Sequence, residues 1–205
     1  MNKATAPYEA VFFDFDGVLV DSEPLHFRCW KEVLEGVGIA LEWEIYAACC
    51  IGVSEERMYV LLSDWSGLPV ETFRRLYPVK SKLFRERSER ELSVPVATVA
   101  LIRALTYYKL AVVSSSNILE VEPALIRAGI RFLLGTLVTG GDVVNHKPAP
   151  DPYLLAARRL EIKTALVLED SPAGIASATA AGFKVLRVGH VSEVPDLVRS
   201  ALSNL

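Results

Sequence analysis

Short apolar runs punctuate the chain at residues 10–13, 110–113, 137–139, 165–168 and 184–188, each bounded by polar, Gly or Pro positions. Their length, and the absence of a polar alternation within them, predict strands buried on both faces. Amphipathic stretches separate most of these runs: 119–128 stops at Gly129, 152–160 follows a Pro/Asp turn, and 173–181 stops at Gly182. Glycine just past a helix supplies the left-handed residue that ends it. Apolar strands alternating with helices predict βαβ units, a parallel sheet covered on both faces and therefore a doubly wound α/β fold.

The stretch between Phe15 and Lys109 breaks that rhythm. It reads as helices over 24–34, 42–49, 55–65 and 71–91, followed by 96–107 leading into the second strand. Leu25, Trp30, Val33, Leu34 and Val37 keep a 3.6-residue period, as do Met58, Leu61, Leu62 and Trp65. A crossover between parallel strands needs one helix, not five. An all-helical insertion, a cap over residues 18–90, is therefore expected to split a Rossmann-like core into 1–17 and 91–205. Trp30 is expected in the cap's own core, and Lys80 and Lys82 on the exposed face of a charged helix.

Composition narrows the picture. The chain has 205 residues, 51% of them hydrophobic and 23% charged, which excludes disorder as the dominant state. A net charge of −3 leaves no basic footprint for nucleic-acid binding. The apolar runs fall well short of the roughly 20 residues a membrane-spanning helix needs. Residues 1–10 show no apolar leader, and Cys29, Cys49 and Cys50 are too few and too poorly spaced for a disulfide framework or a zinc site. A cytoplasmic protein, monomeric by default, is expected.

Four polar clusters stand at the C-terminal ends of the expected strands, where open α/β sheets bind ligands. Asp14 and Asp16 follow the first strand; so close a pair is costly unless a cation, a proton or a substrate group offsets the repulsion, although an Asp-rich turn at Gly17 reads equally well. Ser114-Ser115-Ser116-Asn117 offers hydroxyls and backbone N–H groups at a helix start, an anion site or a plain capping run. His146-Lys147-Pro148-Ala149-Pro150-Asp151 holds a lysine in a stiff turn, by itself no more than a loop. Glu169-Asp170-Ser171 suits a hard cation, or an N-cap.

In this order the clusters resemble the four motifs of the haloacid dehalogenase superfamily of phosphotransferases, in the subgroup related to β-phosphoglucomutase. The residues that carry the likeness are Asp14-x-Asp16-Gly17-Val18, Ser114, Lys147-Pro148-x-Pro150-Asp151 and Glu169-Asp170-Ser171-Pro172-Ala173-Gly174, with the flank Val20-Asp21-Ser22-Glu23-Pro24-Leu25-His26. One departure is Val96, where a glycine usually follows the proline that opens the helix before the second motif. The resemblance implies that Asp14 is the nucleophile, Asp16 the acid/base, Ser114 a donor to the phosphoryl oxygens and Lys147 the counter-charge. It implies Mg²⁺ held by the Asp14 carboxylate, the Asp16 backbone carbonyl and Asp170, with Glu169 binding directly or through water. Ser115, Ser116 and Asn117, and in the cap His26, Gly52, Ser54 and Glu55, are the implied substrate contacts; His26 reads equally as a buried cap residue. The loop Ile51-Gly52-Val53-Ser54-Glu55 resembles the mutase's specificity loop, but a glutamate stands where that loop has an arginine gripping a second phosphate. An intact Asp pair favours phosphate esters over halides, because halide departs without an acid. A phosphatase of small sugar or polyol phosphates is thus implied, with a phosphomutase as the alternative and a binding or regulatory protein on the same fold as a third reading.

Overall fold

A computed structural model describes residues 7–53 and 55–203. Five parallel strands form one sheet in the order β3-β2-β1-β4-β5: β1 (Ala10–Phe13), β2 (Lys109–Val113), β3 (Thr136–Val138), β4 (Ala165–Glu169) and β5 (Lys184–Arg187). β1 is central, with Phe13 paired to Val112 of β2 and to Leu168 of β4. Every residue of β1 is buried, as a strand covered on both faces requires. The doubly wound α/β expectation holds, with strand ends differing by a residue: β4 extends through Glu169 and β3 begins at Thr136.

The chain divides into two compact units, one made of the segments up to Asp21 and from Ser93, the other of Ser22–Leu92. The second unit is helical: α1 (Glu23–Glu35), α2 (Trp43–Cys50), α3 (Glu55–Ser66) and α4 (Val70–Glu91). Trp30 and Leu34 of α1 meet Tyr46, Met58, Tyr59, Leu62 and Phe73 in one apolar cluster, while Leu25 and Cys29 meet Phe84 and Leu92 in another. Full burial of each such side chain contributes roughly 1.5–3 kcal/mol, which holds the four helices together. Val37 departs from its expected place: α1 ends at Glu35, and Val37 is exposed.

In the first unit, successive strand residues point to opposite layers. Val11, Phe13, Val112 and Leu168 pack beneath α5 (Val96–Ala104), α6 (Ile118–Arg127) and α9 (Val194–Ser203), through Leu101, Val121, Leu125 and Val198. Ala10, Phe12, Val113 and Val167 pack against α7 (Asp151–Leu160) and α8 (Pro172–Ala180), through Tyr153, Ala156 and Ala178. α5 stops at Ala104, short of the expected 107, and the chain turns through Thr106 and Tyr107 into β2. Among the described residues no helix is long and apolar enough to cross a membrane.

Candidate active site

The site lies where β1, β2 and β4 end side by side. Asp14 continues the β1 ladder by one bond, its N–H donating to Leu168 O at 3.0 Å, so its carboxylate emerges between the two neighbouring strands. The following turn closes on itself: Phe15 O accepts from Leu19 N and Val20 N, and Gly17 N donates to Val20 O. Phe15, Val18, Leu19 and Val20 are buried and anchor this turn, leaving Asp16 as its partly exposed polar residue.

Ser114 follows β2 and is held by its N–H to Val138 O at 2.9 Å. Its hydroxyl lies 3.4 Å from Asp16 Oδ2, and that of Ser116 donates to the same oxygen at 2.7 Å. Lys147, in the turn before α7, is buried; its Nζ donates to Asp14 Oδ1 at 3.0 Å, Val113 O at 3.0 Å and Glu169 Oε1 at 2.5 Å. Three donors on an ammonium and three oxygen acceptors leave that group satisfied. The Tyr153 hydroxyl donates to the same Glu169 oxygen at 2.7 Å, and its ring lies under Lys147 Nζ at 5.1 Å. Glu169 has no exposed surface; its Oε2 accepts from Asp170 N, Ser171 N and Ser171 Oγ at 3.2–3.4 Å.

Two buried carboxylates, Asp14 and Glu169, thus share one ammonium, with Asp16 and Asp170 close enough to Asp14 to add their charge. Burial raises the Asp14 pKa well above the usual carboxylate range, and the charge of Glu169 raises it further against the pull of Lys147. Burial alone would lower Lys147, but Asp14 and Glu169 outweigh it and hold the ammonium above its ordinary value. Burial beside Glu169 likewise pushes the Tyr153 phenol far up, so it stays a neutral donor. Oxygens of Asp14, Glu169 and Asp170 lie within 4.8 Å of one another. A donor set of hard oxygens with excess negative charge fits Mg²⁺, which takes one or two carboxylates and fills its remaining positions with water and phosphate. Both Glu169 oxygens already accept hydrogen bonds, which leaves them fewer lone pairs for an ion.

Asp14, Asp16, Ser114, Ser116, Lys147, Glu169 and Asp170 therefore come together. Ser115 and Asn117 do not join them: both are exposed, and Asn117 Oδ1 caps α6 by accepting from Leu119 N at 2.9 Å. In the helical unit, Glu55 accepts from the Tyr59 hydroxyl one turn along α3, and Gly52 lies in the turn ahead of it. Ser54 lies outside the described residues. His26 is buried, its ring stacked on Phe84 and its Nδ1 2.7 Å from Lys80 Nζ. Lys80 is thus not on the exposed face where it was expected; Lys82 is. Phe73, Tyr77, Lys80 and Phe84 share one stripe of α4 by their 4-3-4 spacing, a signal that outranks the surrounding charges. Tyr153 carried no polar signal, since an aromatic residue on the apolar face of α7 reads as core.

A model of the family described as haloacid dehalogenase-like hydrolase matches residues 11–188. The chain is 31% identical over 181 residues to a phosphorylated carbohydrates phosphatase of Thermotoga maritima, covering 86% of this chain and 82% of that one. It is 29% identical over 191 residues to the fructose-1-phosphate phosphatase YqaB of Escherichia coli, covering 88% and 96%. The crystal structure of CbbY from Rhodobacter sphaeroides in complex with phosphate superposes with a TM-score of 0.74 at 28% identity, covering 87% of this chain and 84% of that one. With its motifs meeting at the ends of β1, β2 and β4 and the family match spanning most of its length, the chain belongs to the haloacid dehalogenase-like hydrolases.

Proposed function

We propose that this hydrolase is a Mg²⁺-dependent phosphatase of small phosphomonoesters, sugar or polyol phosphates, working through a phosphorylated Asp14. One observation carries the reading: Asp14 shares a buried ammonium with Glu169, while Asp16 is held apart on serine hydroxyls. Two carboxylates of one turn with different surroundings suit two different roles. Relatives named for phosphatases of phosphorylated carbohydrates and of fructose 1-phosphate support the substrate class.

Asp14 attacks phosphorus and takes the phosphoryl group, which divides one difficult displacement into two easier ones. Lys147 orients the Asp14 carboxylate through Oδ1 and, with the Ser114 hydroxyl, offsets charge on the phosphoryl oxygens. Asp16 protonates the leaving alkoxide, then accepts a proton from the water that frees Asp14. The Asp14 and Asp170 carboxylates and the Asp16 backbone carbonyl would hold Mg²⁺, with Glu169 fixing Lys147 behind them. When bound, the ion neutralises the repulsion between an anionic nucleophile and an anionic phosphate. The helical unit, Ser22–Leu92, serves in this reading as the cap that governs substrate choice, with His26, Gly52, Ser54 and Glu55 as its contributors. It is not the expected 18–90, because Val18, Leu19 and Val20 pack into the core of the other unit. A carboxylate at position 55 accepts sugar hydroxyls but repels a second phosphate, which favours hydrolysis over mutase chemistry.

The test is inorganic phosphate release from a panel of sugar and polyol phosphates, with Mg²⁺ and with excess chelator. Mg²⁺-dependent release is expected. Full activity in chelator would overturn the metal assignment, and conversion of β-glucose 1-phosphate to glucose 6-phosphate without phosphate release would replace phosphatase by phosphomutase.

A further inference from the structure

The contacts around Asp16 extend beyond the serines that touch it. Ser116 Oγ donates to Asp16 Oδ2 at 2.7 Å, and the Ser116 N–H donates to Ser114 Oγ at 3.0 Å, so the two serines form one local unit. That unit is braced from the turn after β3. Gly140 N donates to Ser116 O at 3.1 Å, and the approach is so close that a Cβ on Gly140 would stand 2.5 Å from Ser115 O. The turn is itself clamped: Thr139 N and Oγ1 donate to Asp142 Oδ2 at 2.8 and 2.9 Å. Arg159 of α7 then donates to Asp142 Oδ1 at 2.6 Å and to Leu137 O at 2.9 Å. Hydrogen bonds therefore link Arg159 to Asp142 and Asp142 to Thr139, the peptide bond carries the link to Gly140, and hydrogen bonds continue it through Ser116 to the Asp16 carboxylate. The Asp16 backbone is held independently by the closed turn over 15–20. The Ser116 hydroxyl, nearer to Oδ2 than that of Ser114, favours one rotation of the carboxylate.

We propose that Ser116 is a positioning residue for Asp16, set in place by the Gly140 turn, and not a substrate phosphate ligand. This rests on the reading of Asp16 as the acid/base. A hydroxyl that donates to the carboxylate holds it oriented before the ester arrives. Once Asp16 carries the proton, the same hydroxyl accepts from it, so the contact serves both protonation states. Positioning of this kind matters in proportion to how much the leaving oxygen needs a proton. An alkoxide leaves poorly without one, whereas p-nitrophenolate leaves readily.

The experiment compares kcat/KM for p-nitrophenyl phosphate and for alkyl and sugar phosphates among wild type, Ser116→Ala, Ser116→Thr, Gly140→Ala and Asp16→Asn, with inhibition by inorganic phosphate measured alongside. Ser116→Ala is expected to lose about tenfold on the alkyl esters and less than about threefold on the aryl ester, as a fraction of what general acid catalysis supplies. Inhibition by phosphate stays within about twofold of wild type, because no phosphate donor is removed. Ser116→Thr, which keeps the hydroxyl, restores the alkyl esters, and Gly140→Ala reproduces the selective loss through its clash with Ser115 O. Equal losses on both ester classes with weakened phosphate inhibition would make Ser116 a phosphate ligand and overturn the proposal, as would no loss at all. Asp16→Asn separates the two levels. If it shows no leaving-group dependence, the acid/base reading fails; if it does and Ser116→Ala does not, the positioning role alone fails.

Discussion

Replacing Gly174 with alanine would test the packing that holds the buried end of the site. Gly174 lies in the first turn of α8, directly over the Glu169 carboxylate; a Cβ there would stand 1.8 Å from Oε1 and 2.2 Å from Oε2. Ordinary contact needs roughly 3.5 Å, so the carboxylate must retreat by more than an ångström. An exposed glutamate would swing aside at little cost. This one has no exposed surface and is tied to Lys147 at 2.5 Å and to Tyr153 at 2.7 Å. Both bonds end on a carboxylate and are charge-assisted, and losing one costs about 1.5–3 kcal/mol. Alanine returns at most about 1 kcal/mol in helix propensity. With one such bond lost, a net destabilisation of about 0.5–2 kcal/mol follows, or a Tm drop of roughly 1–8 °C for a chain of this size. Thermal and urea unfolding of Gly174→Ala measure it, and the same substitution made on Glu169→Ala isolates the cause. There, with no carboxylate to strike, alanine is expected to be neutral or stabilising by up to about 1 kcal/mol. A neutral Gly174→Ala in the native background, or an equal loss in both backgrounds, would refute the claim that Glu169 is locked.

Two further predictions follow from the same electrostatics. Asp14→Asn is expected to abolish phosphate release while melting at or above wild type in chelator, because it removes a buried carboxylate that Glu169, Asp16 and Asp170 repel; a large Tm loss would contradict this. Asp142 is half of the clamp on the Gly140 turn; burial works to raise its pKa, but the hydrogen bonds from Arg159 and Thr139 outweigh it and hold the value below the ordinary 3.8. A depressed carboxylate contributes stability above its unfolded pKa and loses it as pH falls through the folded value. Wild type is therefore expected to exceed Asp142→Asn in unfolding free energy at pH 6, and the gap to shrink as pH drops below 3.8. A pH-independent gap would remove the ionic contribution.

Much of this architecture is written in local patterns. The apolar runs become parallel strands because each is short, buried on both faces and followed by a helix, and the crowd of helices between β1 and β2 has no place in a simple crossover. Boundaries are less legible for identifiable reasons. Glu169 belongs to β4 although a buried acid argues against a strand, because Lys147 and Tyr153, distant in sequence, supply its donors. The polar run 114–117 looks uniform in sequence, yet its members diverge: Ser116 turns to Asp16, Asn117 caps α6 and Ser115 faces outward. Lys80 reads as solvated from its charged neighbours, but its place on the stripe of Phe73, Tyr77 and Phe84 buries it beside His26. Tyr153 is invisible as a site residue because it sits on the apolar face of α7 and its polar partner, Glu169, comes from β4. Periodicity finds the elements; which side chains share charge becomes visible only when the strand ends are brought side by side.

The central claim, that Asp14 carries the phosphoryl group during turnover, is open to direct capture. An acyl phosphate on aspartate is reduced by borohydride to homoserine, which an untouched carboxylate does not undergo. Wild-type protein mixed with substrate and Mg²⁺, acid-quenched during turnover, treated with borohydride and sequenced by mass spectrometry is expected to carry homoserine at position 14 and at no other aspartate. The modification should be absent without substrate. Active turnover with Asp14 unmodified, or with the reduced residue at another position, would contradict the account.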